Sequence, residues 1–352
     1  MQMKFEPDYR NMVDTARNRE PDRICLYEHG ISLNVIEKIA GIRLGNLYET
    51  IDPSELRKLM THYNNFWKQM GYDTVTWEIG ITSVMPGNGA LGAHLPGAIK
   101  TRKDFDEYPW GSIEDRYFSR WSTHFEVLRE TMPEGMKAFA GPGNGVFECV
   151  QDVVGYEHLC LLTIDDPQLY DDLFKVAGDV SVAIWKRFLE QYGDIYAVCR
   201  FGDDLGYKGS TMLPSKDIKE KIIPQYKRVV DLVHAAGKPF VLHSCGNIFN
   251  VMEDIVEVAG IDGKHSNEDA IAPFSAWIEK YGDRISNFGG IDMDVLCQKS
   301  PEEVRQYTLK VLDYSKGHGG VAYGSGNSIP DYVPVEGYLA MVNTIREYRG
   351  DF

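Results

Sequence analysis

His243 and Cys245 stand two positions apart at the end of the run Lys238-Pro-Phe-Val-Leu-His-Ser-Cys-Gly-Asn247. Phe240, Val241 and Leu242 are continuous apolar residues, the mark of a buried strand, and Gly246-Asn247 turn the chain. Residues two apart in a strand project to the same side. The imidazole and the thiol therefore leave the strand's C-terminal end together, and such a nitrogen–sulfur pair is half of a zinc-type site. The alternative is a buried, inert cysteine beside a histidine in an ordinary polar contact. Zinc takes three or four ligands, and catalytic sites keep one position open. Glu268 closes the next strand-like segment, Lys264-His-Ser-Asn-Glu268, and can reach a metal held by the neighbouring strand. That gives a His243, Cys245, Glu268 set; the competing role for Glu268 is a helix cap.

Polar residues end the other strand-like segments as well: Glu28 and His29, Glu78, Asn144, Asp203 and Asp204, His265, Asp292 and Asp294, Ser325 and Asn327. Asp and Asn in such loops often only cap the following helix. Five or more carboxylates converging at one mouth repel one another, so a bound cation or a donor-bearing substrate is expected to balance them. Glu28, His29 and Asp204 are the candidates for positioning a substrate or supplying a proton. Asn144, Ser325 and Asn327 are assigned to cofactor contacts.

The elements that must position these groups alternate regularly. Strand-like segments fall at 23–27, 74–78, 136–140, 195–199, 240–245, 263–266, 285–288 and 320–323, most followed by a helical pattern. Helices are expected at 32–40 behind Ser32, at 53–70 behind Ser54, and at 165–191. Others are expected from Ser215 to 232 and at 249–258, 273–281, 301–316 and 334–348. Eight strands alternating with helices predict an α/β protein, a (β/α)8 TIM barrel of parallel strands forming a single domain over 1–352. An N-terminal helical extension, 1–22, is expected outside the main body. Residues 84–120, rich in Gly, Pro and aromatics, read as a long lid-like insertion after strand 2. Its Tyr108, Trp110, Tyr117, Phe118 and Trp121 either wall an apolar ring pocket or pack in the core. An open doubly wound sheet is the alternative fold, but no Gly-x-Gly-x-x-Gly follows the first strand.

The chain has 352 residues, 37 Lys and Arg against 52 Asp and Glu, and a formal charge of −15. Without a cationic surplus to displace counterions, nucleic acid and anionic membrane surfaces are excluded as partners. The six cysteines are scattered without paired spacing, which favours reduced thiols and a cytoplasmic setting. No apolar signal region opens the sequence and no run of about 18 apolar residues occurs, so no membrane span is expected.

The C-terminal half resembles the uroporphyrinogen decarboxylase superfamily. It is most similar to the zinc methyltransferase branch, which includes methylcobamide:coenzyme M methyltransferases and, more distantly, cobalamin-independent methionine synthase. The likeness rests on His243-x-Cys245-Gly246, Glu268, Gly289-Gly290-Ile-Asp292, Gly324-Ser-Gly-Asn327 with Pro334, and Asp204, Pro214 and Pro224-Gln-Tyr226. It covers 195–348 well and the N-terminal part in outline. It implies a β/α barrel with zinc held by His243, Cys245 and Glu268. True uroporphyrinogen decarboxylases carry an Arg-rich end to the first strand, where this chain has Tyr27-Glu-His-Gly30. Thiol methyltransferases of the branch supply a second cysteine from the loop that here reads Gly324-Ser325-Gly326. One thiolate fewer leaves a more Lewis-acidic zinc, suited to an oxygen substrate.

The resemblance therefore implies a zinc-dependent methyltransferase that moves a methyl group from a small methoxylated donor, such as an aryl methyl ether, to cob(I)alamin on a partner corrinoid protein. A metal-independent decarboxylase is the alternative enzyme. A corrinoid- or small-molecule-binding protein without turnover is the alternative from another class. A homodimer stays open.

Overall fold

The apolar runs bounded by turn residues all become strands, and the computed structural model, which describes residues 5–352, places them in one parallel sheet. The strands are β1 (Cys25–Leu26), β2 (Thr74–Gly80), β3 (Lys137–Gly143), β4 (Tyr196–Gly202), β5 (Phe240–His243), β6 (Gly263–His265), β7 (Ser286–Ile291) and β8 (Val321–Ser325). Parallel ladders join them in the order β1-β8-β7-β6-β5-β4-β3-β2. The sheet is curled. Phe139 of β3 and Phe288 of β7 lie four strands apart in that order, yet their ring centroids are 5.7 Å apart. Tyr27, just past β1, touches both, at 5.0 and 4.9 Å. Among the described residues no ladder pairs β1 with β2. The Thr76 hydroxyl of β2 instead donates to the Glu28 carbonyl at 2.8 Å, so a side chain spans the seam.

Two cores follow from the curl. The larger lies between the sheet and the surrounding helices. The smaller lies inside the curl, where Cys25, Tyr27, Phe139, Val198, Val241, Phe288 and Ala322 meet. The helix Tyr9–Ala16 closes this inner core rather than packing outside it. Met12 and Ala16 are fully buried among those strand residues, and Ser286 Oγ donates to the Ala16 carbonyl at 3.2 Å. Only one narrow face of this helix is apolar, which is why its sequence reads as a surface helix. Residues 1–4 of the expected extension lie outside the described residues.

The stretch 84–120 is not one insertion loop. Thr101 and Asp104 form a capping box that starts the short helix Arg102–Glu107, and the long helix Ile113–Thr131 begins within the stretch. Tyr117, Phe118 and Trp121 ride on that long helix and are buried in the outer core. Their role is packing and not the wall of a ring pocket. The rings of Tyr108 and Trp110 meet at 4.4 Å with their planes tilted by 50°, half-buried against the same core.

Several boundaries shift. Asp52, not Ser54, caps Pro53–Met70, accepting from the Glu55 amide at 2.8 Å. Ser215 is the first residue of its helix and uses its hydroxyl to accept from Asn250. The helices Val146–Val154 and Tyr156–Asp165 precede the long Pro167–Tyr192 helix; the first buries Val146, Phe147, Cys149, Val150, Val153 and Val154 at helical spacing, while the apolar residues of the second form no clear stripe. Among the described residues no helix is long and apolar enough to cross a membrane. All six cysteines are free thiols.

Candidate functional site

The strand ends at the C-terminal side of the curl carry the polar groups, in layers above the inner core. Arg200 of β4 forms the first layer. It is fully buried, with its guanidinium carbon 5.8 Å from the Phe139 ring centroid. It donates to Glu78 Oε2 through Nη2 at 2.7 Å and Nε at 3.1 Å, to Tyr27 Oη at 2.6 Å, and to the His29 carbonyl at 3.2 Å. A buried cation with four satisfied donor contacts is a rigid floor.

Three histidines form the next layer. β5 and β6 pair with His243 opposite His265. Their Nδ1 atoms are 2.8 Å apart, and His265 Nε2 is 3.0 Å from the Ser325 carbonyl. His29 stacks on His243 with centroids 3.7 Å apart and planes at 24°. All three are held neutral. Burial depresses His29 and His243 well below the usual range, with Arg200 and the neighbouring imidazoles adding to it. Burial pushes His265 down to about 3.

Cys245 lies in the turn just past β5, so the strand is shorter than its sequence suggests, yet the thiol still meets the imidazole. Its sulfur is 3.4 Å from His243 Nε2. Gly246, at φ +82°, makes the turn; a Cβ there would sit 2.0 Å from the Gly206 carbonyl carbon. Asp204 Oδ1 accepts from the Cys245 amide at 2.9 Å and lies 3.6 Å from His243 Nε2. Two donors address the sulfur, Asn327 Nδ2 at 3.2 Å and Ser266 Oγ at 3.7 Å. Burial, then the Asp204 carboxylate, pushes the Cys245 thiol well up. Lys264 is buried over the Trp277 ring at 3.7 Å and donates to the Ser266 carbonyl. Burial brings its amine down to about 7.

Among the described residues two groups of side chains converge closely enough for one metal ion: Asp204, His243 and Cys245, and separately His29, His243 and His265. The second is a poor cage. His29 and His243 are stacked, so their in-plane lone pairs run side by side and do not meet. The 2.8 Å Nδ1–Nδ1 separation is that of an N–H···N hydrogen bond. The first offers nitrogen, sulfur and carboxylate oxygen, the donor set zinc takes in catalytic sites. These residues fit that ion.

The remaining expected site residues separate. Glu268 stands outside the three-residue group. It is half-buried and lines an adjoining cavity of about 290 Å³ with Lys208, Asp292, Tyr332 and Asn327. Asn327 thus borders both the cavity and the Cys245 sulfur. Asn144 uses its side chain inside the protein: Oδ1 accepts from Thr82 Oγ1 at 2.9 Å and Nδ2 donates to Glu148 Oε2 at 2.8 Å. Glu28 is fully buried. Its Oε1 accepts from the Ser325 amide at 3.0 Å, and its Oε2 lies 2.5 Å from the Ser325 hydroxyl, which is also 2.9 Å from the Asn327 carbonyl. Ser325 therefore spends its hydroxyl on Glu28 and Asn327. Burial raises the Glu28 carboxyl to about 8. From sequence His265 reads only as one of the strand-end polar residues, without a role, and Arg200 as an ordinary strand residue. The available signal was register: two adjacent strands each ending in histidine at the same level.

A family profile described as Uroporphyrinogen decarboxylase (URO-D) matches residues 74–348. A solved structure described as a methyltransferase from Methanosarcina mazei is similar over 97% of this chain and 99% of that chain, at 14% identity and a TM-score of 0.73. A putative vitamin-B12 independent methionine synthase from Listeria monocytogenes is similar over 94% of this chain and 100% of that chain, at 13% identity and a TM-score of 0.53. At these identities the likenesses establish a shared fold. No curated protein sequence matches the chain.

Proposed function

The chain belongs to the uroporphyrinogen decarboxylase (URO-D) family, and from that premise we propose that it is a zinc-dependent methyltransferase moving a methyl group from a small methoxylated donor, of aryl methyl ether type, to cob(I)alamin carried by a corrinoid protein. The observation that carries the reading is the convergence of His243 Nε2, Cys245 Sγ and Asp204 Oδ1 at the mouth of the curled sheet. The fold shared with the Methanosarcina mazei methyltransferase supports it. Zinc, when bound, supplies Lewis acidity toward the donor's oxygen.

This chain's own residues do the rest. His243, Cys245 and Asp204 hold the ion, and a single thiolate in that set keeps it electrophilic. Asn327 and Ser266 hold the sulfur in place through their contacts to it. The cavity beside Asn327 has room for a small donor, with Glu268 and Asp292 on its wall. His29 is neutral and half-buried above the Arg200 floor, placed to position the donor as an uncharged ring at the mouth. In this reading the sheet works as a closed (β/α)8 barrel across the Thr76–Glu28 seam. The corrinoid partner docks over the same mouth, in the cytoplasm, where free thiols persist.

The test is zinc content of the purified chain together with methylation of cob(I)alamin, followed by absorbance, over a panel of methoxyaromatics, methylamines and methylthiols. One zinc per chain and turnover with a methoxyaromatic are expected. Turnover only with a thiol or amine would move the donor class. No zinc and no methylation with any donor would sink the reading and leave a decarboxylase or a non-catalytic binder.

A further inference from the structure

We propose that His265 is a positioning residue: it fixes the tautomer of His243 so that Nε2, and not Nδ1, is offered to Cys245 and Asp204. The inference rests on the zinc reading only for its affinity arm. The Ser325 carbonyl can only accept a hydrogen bond. His265 Nε2 lies 3.0 Å from it, so the proton of that contact is on Nε2. His265 is fully buried, and neither of its ring nitrogens is bonded to a carboxylate. A second proton would bury an unpaired cation near Arg200 and Lys264, so the ring is neutral and its Nδ1 is a bare acceptor. The proton between the two Nδ1 atoms, 2.8 Å apart, then belongs to His243. His243 is left with a bare Nε2, and that is the nitrogen 3.4 Å from the Cys245 sulfur and 3.6 Å from Asp204 Oδ1. A free imidazole in water prefers the opposite tautomer, with its proton on Nε2. The protein therefore imposes the less favoured one.

The arrangement is anchored from below. Glu28 holds Ser325 by its amide and hydroxyl, so the carbonyl that orients His265 is itself fixed. Gly289 keeps the space clear. A Cβ there, at φ +103°, would stand 2.8 Å from the Ser325 carbonyl oxygen and 3.1 Å from His265 Cδ2. Register does the remainder, because paired residues on parallel strands emerge on one face a strand spacing apart.

The test is long-range 1H–15N correlation spectroscopy of the metal-free chain, assigning the His243 tautomer, with zinc affinity read by competition against a chromogenic chelator. Wild type is expected to show His243 protonated at Nδ1. His265→Leu removes the acceptor and should shift His243 toward the Nε2–H form, weakening zinc binding by about ten- to a hundredfold. His265→Asn, whose amide oxygen falls near the Nδ1 position, should restore both. Wild type protonated at Nε2, or a leucine variant with unchanged tautomer and affinity, would overturn the proposal. If the leucine variant does not fold, the wild-type spectrum alone decides. A wild-type chain protonated at Nδ1 that takes up no zinc would support this role of His265 and overturn the zinc reading.

Discussion

Asn327 places its amide nitrogen 3.2 Å from the sulfur of Cys245, tying the turn after β8 to the turn after β5. Its carbonyl also lies 2.9 Å from the Ser325 hydroxyl. The side chain thus acts on the thiol while the backbone acts on the Glu28 cluster. Asn327→Leu removes the first, together with the bond that Asn327 Oδ1 accepts from the Ser328 amide at 2.9 Å, and leaves the second. Zinc affinity is expected to fall about tenfold, the size of effect seen when an outer partner of a ligand is lost, while the melting temperature changes little. Unchanged affinity in a chelator competition would mean that the amide does not steady the sulfur.

Asp204 and Glu268 compete for the place of the oxygen ligand. Asp204 lies in the converging group and Glu268 across Asn327 in the adjoining cavity. Asp204→Asn is expected to weaken zinc binding by at least tenfold more than Glu268→Gln. Glu268→Gln should instead raise the KM for the methyl donor. The reverse order of zinc affinities would transfer the ligand role to Glu268.

Glu28 supplies a pH signature. Its carboxyl is raised by burial from the ordinary 4.5 to about 8. The hydrogen bonds agree with a protonated acid: the Ser325 hydroxyl has one proton and two neighbouring oxygens, and both contacts are satisfied only if Glu28 donates to Ser325 Oγ and Ser325 donates to Asn327. Because the folded state holds this proton more tightly than the unfolded chain, its contribution to stability is complete below about 4.5 and is lost as pH rises through about 8. Glu28→Gln mimics the neutral acid and should flatten that decline. Denaturation midpoints at pH 5, 7 and 9 that run parallel in parent and variant would contradict an acid held neutral in the fold.

Arg200 holds the site from beneath. Arg200→Met keeps much of the volume but leaves Glu78 without its cation and Tyr27 without its donor. Breaking a buried pair from one side costs about 3–5 kcal/mol, read as a lower denaturant midpoint at unchanged slope. The double variant Arg200→Met, Glu78→Gln should recover part of the loss. A single variant as stable as the parent would show that the floor is not needed.

What the sequence revealed follows from the range of each interaction. The strand order is legible because apolar runs and turn residues are local signals, and His243 with Cys245 is legible because strand periodicity is local too. Asp204 was identifiable as a strand-end carboxylate but not as the neighbour of Cys245, since that needs the β4–β5 register. His265 escaped assignment for the same reason, and Arg200 reads as one residue of a strand until β1 and β2 are brought against it. The Tyr9–Ala16 helix was misplaced because burial inside the curl asks only for a few small or slender residues on one face.

That helix also bears on the order in which the molecule can assemble. Its partners are made long after it. Asn18, just beyond its end, bonds the carbonyl of Gly282 and the amide of Gly320, the latter 302 residues away, and Ser286 reaches the Ala16 carbonyl. A nascent chain that has emerged as far as β6 can pair neighbouring strands, yet Met12 and Ala16 still lack much of their surroundings. Closing so long a loop is an entropic step that local structure cannot offset in advance. A segment made before every strand is thus among the last to find its place, and until β8 arrives the half-made sheet exposes its inner face.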